Sequence, residues 1–211
     1  MEKAAEVVVR FGNEEEDGYD AVVVGSGYGG SVAACRMSMA GIKVCLVEKG
    51  GDGKLRIFQL TVYEQDDSLA AVACGLGGGS LVNAGVMIPT PIRARRNSKW
   101  PKEWEEDWEI CEASASAMLR IQSIPVKFPI AKTMEEIAER EIEESFQRPM
   151  KLSINFSHEE QQLDSMKPKQ MGSCLACGNC LSGCPYNAKN STDKNYIDLA
   201  VQAHFPLPYI L

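Results

Sequence analysis

Hydrophobic and polar positions in the first quarter of the chain predict a strand, a helix and a second strand. Residues 19–24 are rich in valine and predict a buried strand, and residues 42–48 predict another. Between them, residues 31–40 carry small and apolar side chains and predict a helix that ends at Gly41. Buried strands joined by a helix are typical of a parallel sheet, so this pattern favours an α/β fold.

The middle of the chain predicts shorter elements. Residues 58–65 and 69–74 have the composition of two short strands, and the apolar run 81–87 also reads as strand. Residues 101–119 predict an amphipathic helix. Its apolar side chains recur at spacings of three and four, and they are Trp104, Trp108, Cys111, Ala115 and Met118.

A capping box predicts where the next helix begins. Thr133 and Glu136 have the spacing at which each side chain caps the other's backbone amide. Ala138, Ile142 and Phe146 then share one face of that helix, and residues 151–171 are polar and predict a loop.

Composition limits the classes of binding partner and the cellular compartments that we expect for this chain. Lys and Arg number 22 against 29 Asp and Glu, and the net charge of −7 disfavours nucleic acid. The first residues lack the pattern of a signal peptide, and no run approaches the ~20 apolar residues of a membrane span. Eight cysteines in such a chain are more typical of thiols or ligands than of disulfides. We therefore expect an intracellular, cytoplasmic protein with no integral membrane segment.

The same patterns divide the chain into four segments. We expect a flexible lead-in over residues 1–18 and a cofactor-binding core over residues 19–100. A helical and loop insertion toward a substrate domain follows over residues 101–171, and a cysteine-rich segment with a tail occupies residues 172–211.

A glycine fingerprint lies between the first strand and the first helix. It fits G-x-G-x-x-G and consists of Gly25, Ser26, Gly27, Tyr28, Gly29 and Gly30. In such a loop Gly25 permits a tight turn, Gly27 lets a pyrophosphate approach the backbone, and Gly30 lets the helix pack on the strand. The free amides at the start of the helix favour phosphate. The sequence therefore predicts a dinucleotide site.

Glu48 ends the second strand 18 residues after Gly30. An acidic residue about 20 positions after this fingerprint accepts the ribose hydroxyls of a dinucleotide, and its charge repels the 2′-phosphate of NADP. The alternative is a surface residue at the end of a strand.

A second glycine-rich loop covers residues 75–80. Four glycines in five positions suit a backbone that passes very close to something flat or charged, although a flexible turn has the same composition.

Three blocks of sequence resemble the glucose–methanol–choline (GMC) oxidoreductases, and within them the cholesterol-oxidase-like branch. The blocks are residues 20–31 followed by residues 48–50, then residues 77–85, and finally residues 178–191. The resemblance implies an α/β, Rossmann-like, three-layer FAD-binding domain with the start of a truncated substrate domain. It also implies FAD as the cofactor, with the pyrophosphate at residues 25–30 and the adenosine ribose at Glu48.

Further cofactor contacts follow from the resemblance alone. They are Gly78, Gly79, Ser80, Asn83, Ala84, Gly85 and Val86, which would lie against the flavin and ribityl chain. Family members oxidise an alcohol carbon by hydride transfer to the flavin, and many then reduce O₂ to peroxide. The branch implies a small-molecule alcohol as substrate, such as a sterol or another bulky alcohol.

The family's proton-removing histidine has no counterpart among the residues of this chain. Its two histidines, His158 and His204, match no catalytic position, so no catalytic residue is assigned. We expect a truncated or alternatively spliced form that is inactive by itself. A non-catalytic fragment is the alternative. An absence of substrate-domain coding sequence downstream in the gene would contradict the truncation hypothesis.

Four cysteines form a run that suits more than one chemistry. Cys174, Cys177, Cys180 and Cys184, followed by Pro185, fit the C-x₂-C-x₂-C-x₃-C-P spacing of bacterial ferredoxins. An iron–sulfur electron-transfer protein is therefore an alternative, and zinc is a further one, although four ligands within eleven residues are tight for it. The resemblance implies the same cysteines without a metal, and we favour that interpretation.

Overall fold

The computed structural model describes residues 7–10, 18–50, 59–126, 128–141, 150–156 and 171–204. Its strands are β1 (Val7–Arg10), β2 (Ala21–Val24), β3 (Val44–Glu48), β4 (Gln59–Gln65), β5 (Ser68–Cys74), β6 (Val86–Met87), β7 (Gln122–Ser123) and β8 (Lys151–Leu152). Its α-helices are α1 (Tyr28–Met39), α2 (Ile92–Arg95), α3 (Glu103–Met118), α4 (Pro129–Glu141) and α5 (Tyr196–His204). Two 3₁₀ helices cover Gly78–Leu81 and Thr192–Lys194.

The first sheet has the order β1-β3-β2. Strands β2 and β3 are parallel and joined by α1, as the sequence predicts, with Val23 opposite Leu46. Strand β1 pairs antiparallel with β3, so a flexible lead-in is wrong for Val7–Arg10. The backbone groups on the outer edge of β3 find their partners there, which the polar composition of residues 1–18 did not reveal. The rest of that segment, up to residue 17, lies outside the described residues.

One helical layer covers this sheet among the described residues. Helix α5 packs against α1, and their shared core contains Ala34, Cys35, Val44, Leu46, Leu119, Tyr196, Ile197 and Ala200. On β2 the burial alternates, and Val22 and Val24 are 63% and 83% exposed. The prediction of a fully buried strand is therefore wrong for β2, and a third layer is not seen in the described part of the chain.

Helix α5 was missed by the sequence analysis, which treated this region as tail. Its apolar residues Tyr196, Ile197 and Ala200 have the spacing of one helical face and are all buried. The same periodicity was present in the sequence, so the signal was available.

The predicted pair of strands is confirmed as the antiparallel hairpin of β4 and β5, which turns at Asp66 and Asp67. The strand predicted over residues 81–87 is wrong for most of its length. The backbone of Gly77 and Gly78 has φ of +114° and +53°, and this bends the chain into the 3₁₀ helix. Only β6 remains as strand.

The predicted helix is confirmed as α3, but its predicted apolar face is not buried, since none of its residues is fully buried and Trp104 and Cys111 are exposed. The capping box at Thr133 is wrong, because α4 begins four residues earlier at Pro129, a favourable first helical residue. The Thr133 hydroxyl instead donates to the Pro129 carbonyl (3.3 Å). Ile142 and Phe146 lie outside the described residues.

A third, small sheet has the order β6-β8-β7, with antiparallel pairs throughout. Just beyond β8, Ile154 bridges to Lys189, which places the cysteine-rich segment beside this sheet. Strand β8 and this bridge lie where the sequence predicted a polar loop. Within the described ranges, no helix combines the length and the apolar character needed to cross a bilayer.

Candidate cofactor site

The first glycine loop has the geometry that its sequence predicts. Gly25 has φ of +88°, which favours glycine. A Cβ atom on Gly30 would lie 1.9 Å from the Gly25 carbonyl oxygen, so only glycine lets α1 pack this closely against the end of β2. These two structural roles are confirmed.

The start of α1 leaves hydrogen-bond donors available. The first amides of a helix have no intrahelical acceptor. No side chain caps this end of α1, and its first turn contains no acidic residue. A Cβ atom on Gly27 would meet nothing within 4 Å, so the backbone there faces open space. An anionic group fits this position, because the amides and the helix dipole both favour negative charge.

Glu48 is a buried carboxylate, only 6% exposed, so it is not a surface residue at a strand end. One of its oxygens accepts from the Ser26 amide (2.9 Å) and hydroxyl (2.5 Å), and the other accepts from the Gly50 amide (3.0 Å). Burial by itself raises the pKa of Glu48, but the hydrogen bonds from Ser26, Gly50 and Lys49 outweigh it and the pKa is lowered. Glu48 therefore holds the glycine loop in shape, whatever else it binds.

The second glycine loop lies directly on the first. A Cβ atom on Gly78 would approach the Gly27 Cα atom to 2.8 Å, and Gly78 has φ of +53°. The Gly77 amide donates to the Ser26 hydroxyl (2.8 Å), which in turn donates to Glu48. The two glycine-rich segments, about 50 residues apart in sequence, thus form one surface.

Thr192 fastens the C-terminal segment to both loops. Its hydroxyl lies 3.1 Å from the Ser80 hydroxyl and within hydrogen-bonding distance of the carbonyls of Gly77 (3.2 Å) and Ser26 (3.4 Å). The Thr192 amide donates to the Ser80 hydroxyl (3.1 Å). We call this set the loop junction, and its members are Ser26, Glu48, Gly77, Ser80 and Thr192. Sequence reasoning missed Thr192, because no local pattern marks a contact over 112 residues.

Asn83 is fixed from two sides. Its side-chain amide donates to the Tyr28 hydroxyl (2.7 Å), and its side-chain carbonyl accepts from the Gly85 amide (3.1 Å). Tyr28 therefore connects the start of α1 to the second loop. Gly85 itself has φ of +75° and packs against Ile154.

The remaining predicted contacts lie along the same surface. Gly29 and Gly79 are exposed, and a Cβ atom on either would meet nothing within 4 Å. Ala84 and Val86 are partly buried, with Val86 opening β6. The structure thus brings all fourteen predicted cofactor residues to the two stacked loops and their continuation, while their contact with a cofactor stays a prediction.

A large, mainly apolar groove adjoins this surface at Met87. It has a volume of about 760 Å³ and runs between α3 and the chain after β6. Met87, Ile88, Trp104, Trp108, Cys111 and Ile121 form its apolar wall. At its edge Glu112 pairs with Arg95 and accepts from the Thr90 amide (3.0 Å). We call it the α3 groove.

The four predicted cysteines line one small cavity of about 180 Å³ and are all free thiols. The Cys184 sulfur accepts from the Ala188 amide (3.2 Å), and the Cys174 sulfur from the Ala176 amide (3.4 Å). Burial raises the pKa of Cys180, and the neighbouring Cys174 and Cys184 raise it further. Burial raises the pKa of Cys184 as well, but hydrogen bonds from backbone amides outweigh burial, and the pKa of Cys184 is lowered.

Among the described residues no group of three or more His, Cys, Asp or Glu side chains is arranged to hold a metal. The iron–sulfur and zinc alternatives therefore gain no support here.

Of the two histidines, His158 lies outside the described residues, and His204 is the last residue of α5.

The parallel βαβ unit and its paired glycine loops place the chain among the Rossmann-like α/β proteins. The sequence profile of the GMC oxidoreductases matches residues 19–206, and the chain therefore belongs to that family.

Curated relatives agree with this assignment. A cholesterol oxidase of Acinetobacter baumannii is 26% identical over 86% of this chain, and a cholesterol oxidase of Mycobacterium tuberculosis is 25% identical over 88%. A long-chain-alcohol oxidase of Arabidopsis thaliana is 30% identical over 87% of this chain. The chain spans 38%, 37% and 25% of the lengths of these three relatives, respectively.

Proposed function

We propose that this chain is the FAD-binding part of an oxidoreductase that oxidises a bulky, apolar alcohol. The observation that carries the proposal is the stacking of two glycine loops beside an uncapped helix N-terminus. Such a surface combines free amides for a pyrophosphate with bare backbone against which a flat ring system lies. The GMC family supports FAD as the dinucleotide.

Each part of this surface has a distinct role in the proposal. The amides at the start of α1 bind the pyrophosphate, and Gly27 provides the clearance. The ribose lies at the Glu48 carboxylate, which the hydrogen bonds from Ser26 and Gly50 hold beside the loop. The segment 83–86 holds the flavin ring, and the flavin supplies the hydride acceptor for alcohol oxidation.

The α3 groove supports an apolar substrate. Its volume of about 760 Å³ lies within the roughly 300–1,000 Å³ of small-molecule sites. Its wall begins at Met87, directly after the proposed flavin contact Val86. The relatives are of two kinds, cholesterol oxidases and long-chain-alcohol oxidases, and both names denote oxidases of alcohols with a large apolar body.

Gly27→Val tests the cofactor proposal without disturbing the fold. Gly27 has φ of −60° and ψ of −174°, which valine adopts, and its Cβ position is open. The variant should fold normally but lose FAD binding at least tenfold in a fluorescence-quenching titration, because its side chain occupies the pyrophosphate clearance. Ala33→Val, exposed on the same helix, is the control and should bind like the wild type. A wild-type chain that takes up no FAD would defeat the proposal.

Tryptophan emission tests the groove independently. The three tryptophans of the chain are Trp100, Trp104 and Trp108, so its tryptophan fluorescence, excited selectively over that of the six tyrosines, reports on this region. Titration with dodecanol or a water-soluble sterol should shift the emission to shorter wavelength and saturate, whereas hexaethylene glycol should not. An emission that responds equally to both would argue against an apolar alcohol. Neither His158 nor His204 matches the family's catalytic position in sequence, so we expect binding rather than peroxide release from these 211 residues.

A further inference from the structure

Lys189 is a buried lysine whose ammonium bonds only to backbone carbonyls among the described residues. Its residue is 4% exposed, and its ammonium makes three hydrogen bonds, all to backbone carbonyls. They run to Leu81 (2.6 Å), Asn83 (2.9 Å) and Cys180 (2.8 Å). No salt bridge involves Lys189 in the described part of the chain.

An ammonium has three donors, and here each donor has an acceptor. This satisfies the group despite its burial, which lowers the pKa of Lys189 below its usual range. A buried charge that is not hydrogen-bonded is strongly unfavourable, so the three carbonyls and the ammonium constrain one another. The lysine therefore ties the residues that follow the second glycine loop, Leu81 and Asn83, to Cys180 of the cysteine-rich segment.

The carbonyls that it holds belong to the segment that leads to the proposed flavin contacts. In a trans peptide the C=O and N–H bonds point in opposite directions. When the Asn83 carbonyl turns inward to Lys189, the amide of the next residue, Ala84, turns outward. None of the described residues supplies an acceptor for the Ala84 amide.

We propose that Lys189 is a positioning residue for the flavin half of the cofactor: it fixes the peptide planes at Leu81 and Asn83 and so presents the Ala84 amide to an acceptor on the flavin ring. This inference rests on the proposed FAD function. It assigns a role to a lysine that the cofactor-binding contacts above leave unexplained. It also explains the neighbouring cysteine-rich segment as a scaffold, because the Cys180 carbonyl completes the lysine's coordination.

Binding of the adenosine half of the cofactor serves as the reference against which an effect on the flavin half is measured. Residues 25–30 and Glu48, which would bind that half, make no described hydrogen bond to the Lys189 side chain. ADP therefore reports on the adenosine half alone, and FAD reports on both halves. A lysine that merely supports the fold affects both ligands equally, whereas a positioning residue for the flavin affects only FAD.

The experiment titrates the full 211-residue chain with FAD and with ADP by calorimetry. Lys189→Met preserves the length of the side chain but removes all three donors, and we expect FAD binding to weaken at least tenfold while ADP binding stays within twofold. Lys132→Met, exposed on α4, is the matched control and should change neither affinity. Equal losses for FAD and ADP, or no loss for either, would overturn the inference.

Lys189→Arg keeps the test decisive if the methionine variant does not fold by circular dichroism. Arginine retains the charge, but its planar fork does not reproduce three diverging donors. We expect at least threefold weaker FAD binding with ADP unchanged, and equal effects on both ligands would contradict the proposal. A wild-type chain that binds ADP but gains no affinity from the flavin half would instead refute the proposed function, and this outcome is distinguishable because it appears before any substitution.

Discussion

At the loop junction the side chains are polar and buried, whereas the wall of the α3 groove is mainly apolar and at most partly buried. Ser26, Ser80 and Thr192 are at most 1% exposed, and each has its hydrogen-bonding groups satisfied within the chain. Trp104, by contrast, is 50% exposed, and α3 has no fully buried residue. The junction is therefore a rigid support built from directional bonds, while the groove is a largely apolar surface that is open to solvent.

This contrast separates the two tasks of the proposed function. A cofactor surface requires backbone held in one geometry, and networks of satisfied buried hydrogen bonds provide that. A site for a bulky apolar body requires area and few directional bonds. Substitutions in the junction should therefore affect stability, and substitutions in the groove should affect ligand binding.

The largest effect is expected from Gly30→Ala. The added Cβ atom would lie 1.9 Å from the Gly25 carbonyl oxygen, so α1 has to move away from β2. We expect a loss of about 3 kcal/mol in the free energy of unfolding, the upper end of the usual cost of overpacking. Gly29→Ala is the control, because its Cβ meets open space on the same helix. Urea unfolding measures both, and similar stabilities would show that the loop is more adaptable than its contacts indicate.

Glu48→Gln should remove a pH-dependent part of the stability. Because the folded pKa of Glu48 is lowered, its contribution is complete above the ordinary glutamate pKa of about 4.3 and is lost as the pH falls through the folded value. Hydrogen bonds to a charged group contribute about 1.5–3 kcal/mol, so we expect a loss of about 2 kcal/mol at pH 7.

Unfolding experiments at pH 7 and pH 3 test the sign of this effect. The difference between wild type and Glu48→Gln should shrink at pH 3. Glu109→Gln, exposed on α3, controls for the loss of one negative charge. A difference that grows on acidification would contradict the assignment of Glu48 as a charged hydrogen-bond acceptor.

Thr192→Val should cost about 1 kcal/mol, the usual net contribution of a buried hydrogen bond. Valine matches threonine in shape, but it removes the hydroxyl that reaches Ser80 and the Gly77 carbonyl. Thr133→Val, whose hydroxyl is exposed on α4, is the matched control. Chemical unfolding gives both values. If Thr192→Val unfolds like the control, the C-terminal segment does not depend on this hydroxyl.

The sequence predicted the parts of the site that local patterns encode. The βαβ unit follows from a strand, a glycine loop and a helix that are adjacent in sequence, and the roles of Gly25 and Gly30 follow from steric limits on a single turn. What it did not predict are partners distant in sequence. Lys189 reaches Leu81 over 108 residues, and no spacing rule identifies such a contact.

Local signals also failed where two of them competed. Thr133 had the sequence of a helix cap, but Pro129 began the helix earlier. The apolar run 81–87 had the composition of a strand, but two left-handed glycines before it turned the chain. In both cases the backbone conformation was determined by a nearby residue, and not by the pattern on which the prediction rested.

The smallest change in stability is expected in the groove, from Trp104→Ala. The ring is half exposed and stacks on Trp100 with centroids 5.3 Å apart, so its removal should change the free energy of unfolding by about 0.5 kcal/mol or less. Dodecanol binding, followed through the emission of the remaining Trp100 and Trp108, should nevertheless weaken severalfold, because the wall loses its exposed aromatic surface. Ile110→Ala, exposed on the same helix but outside the groove lining, should change neither quantity. A loss of several kcal/mol on removing Trp104 would place the groove wall in the core of the protein, and the contrast with the loop junction would no longer hold.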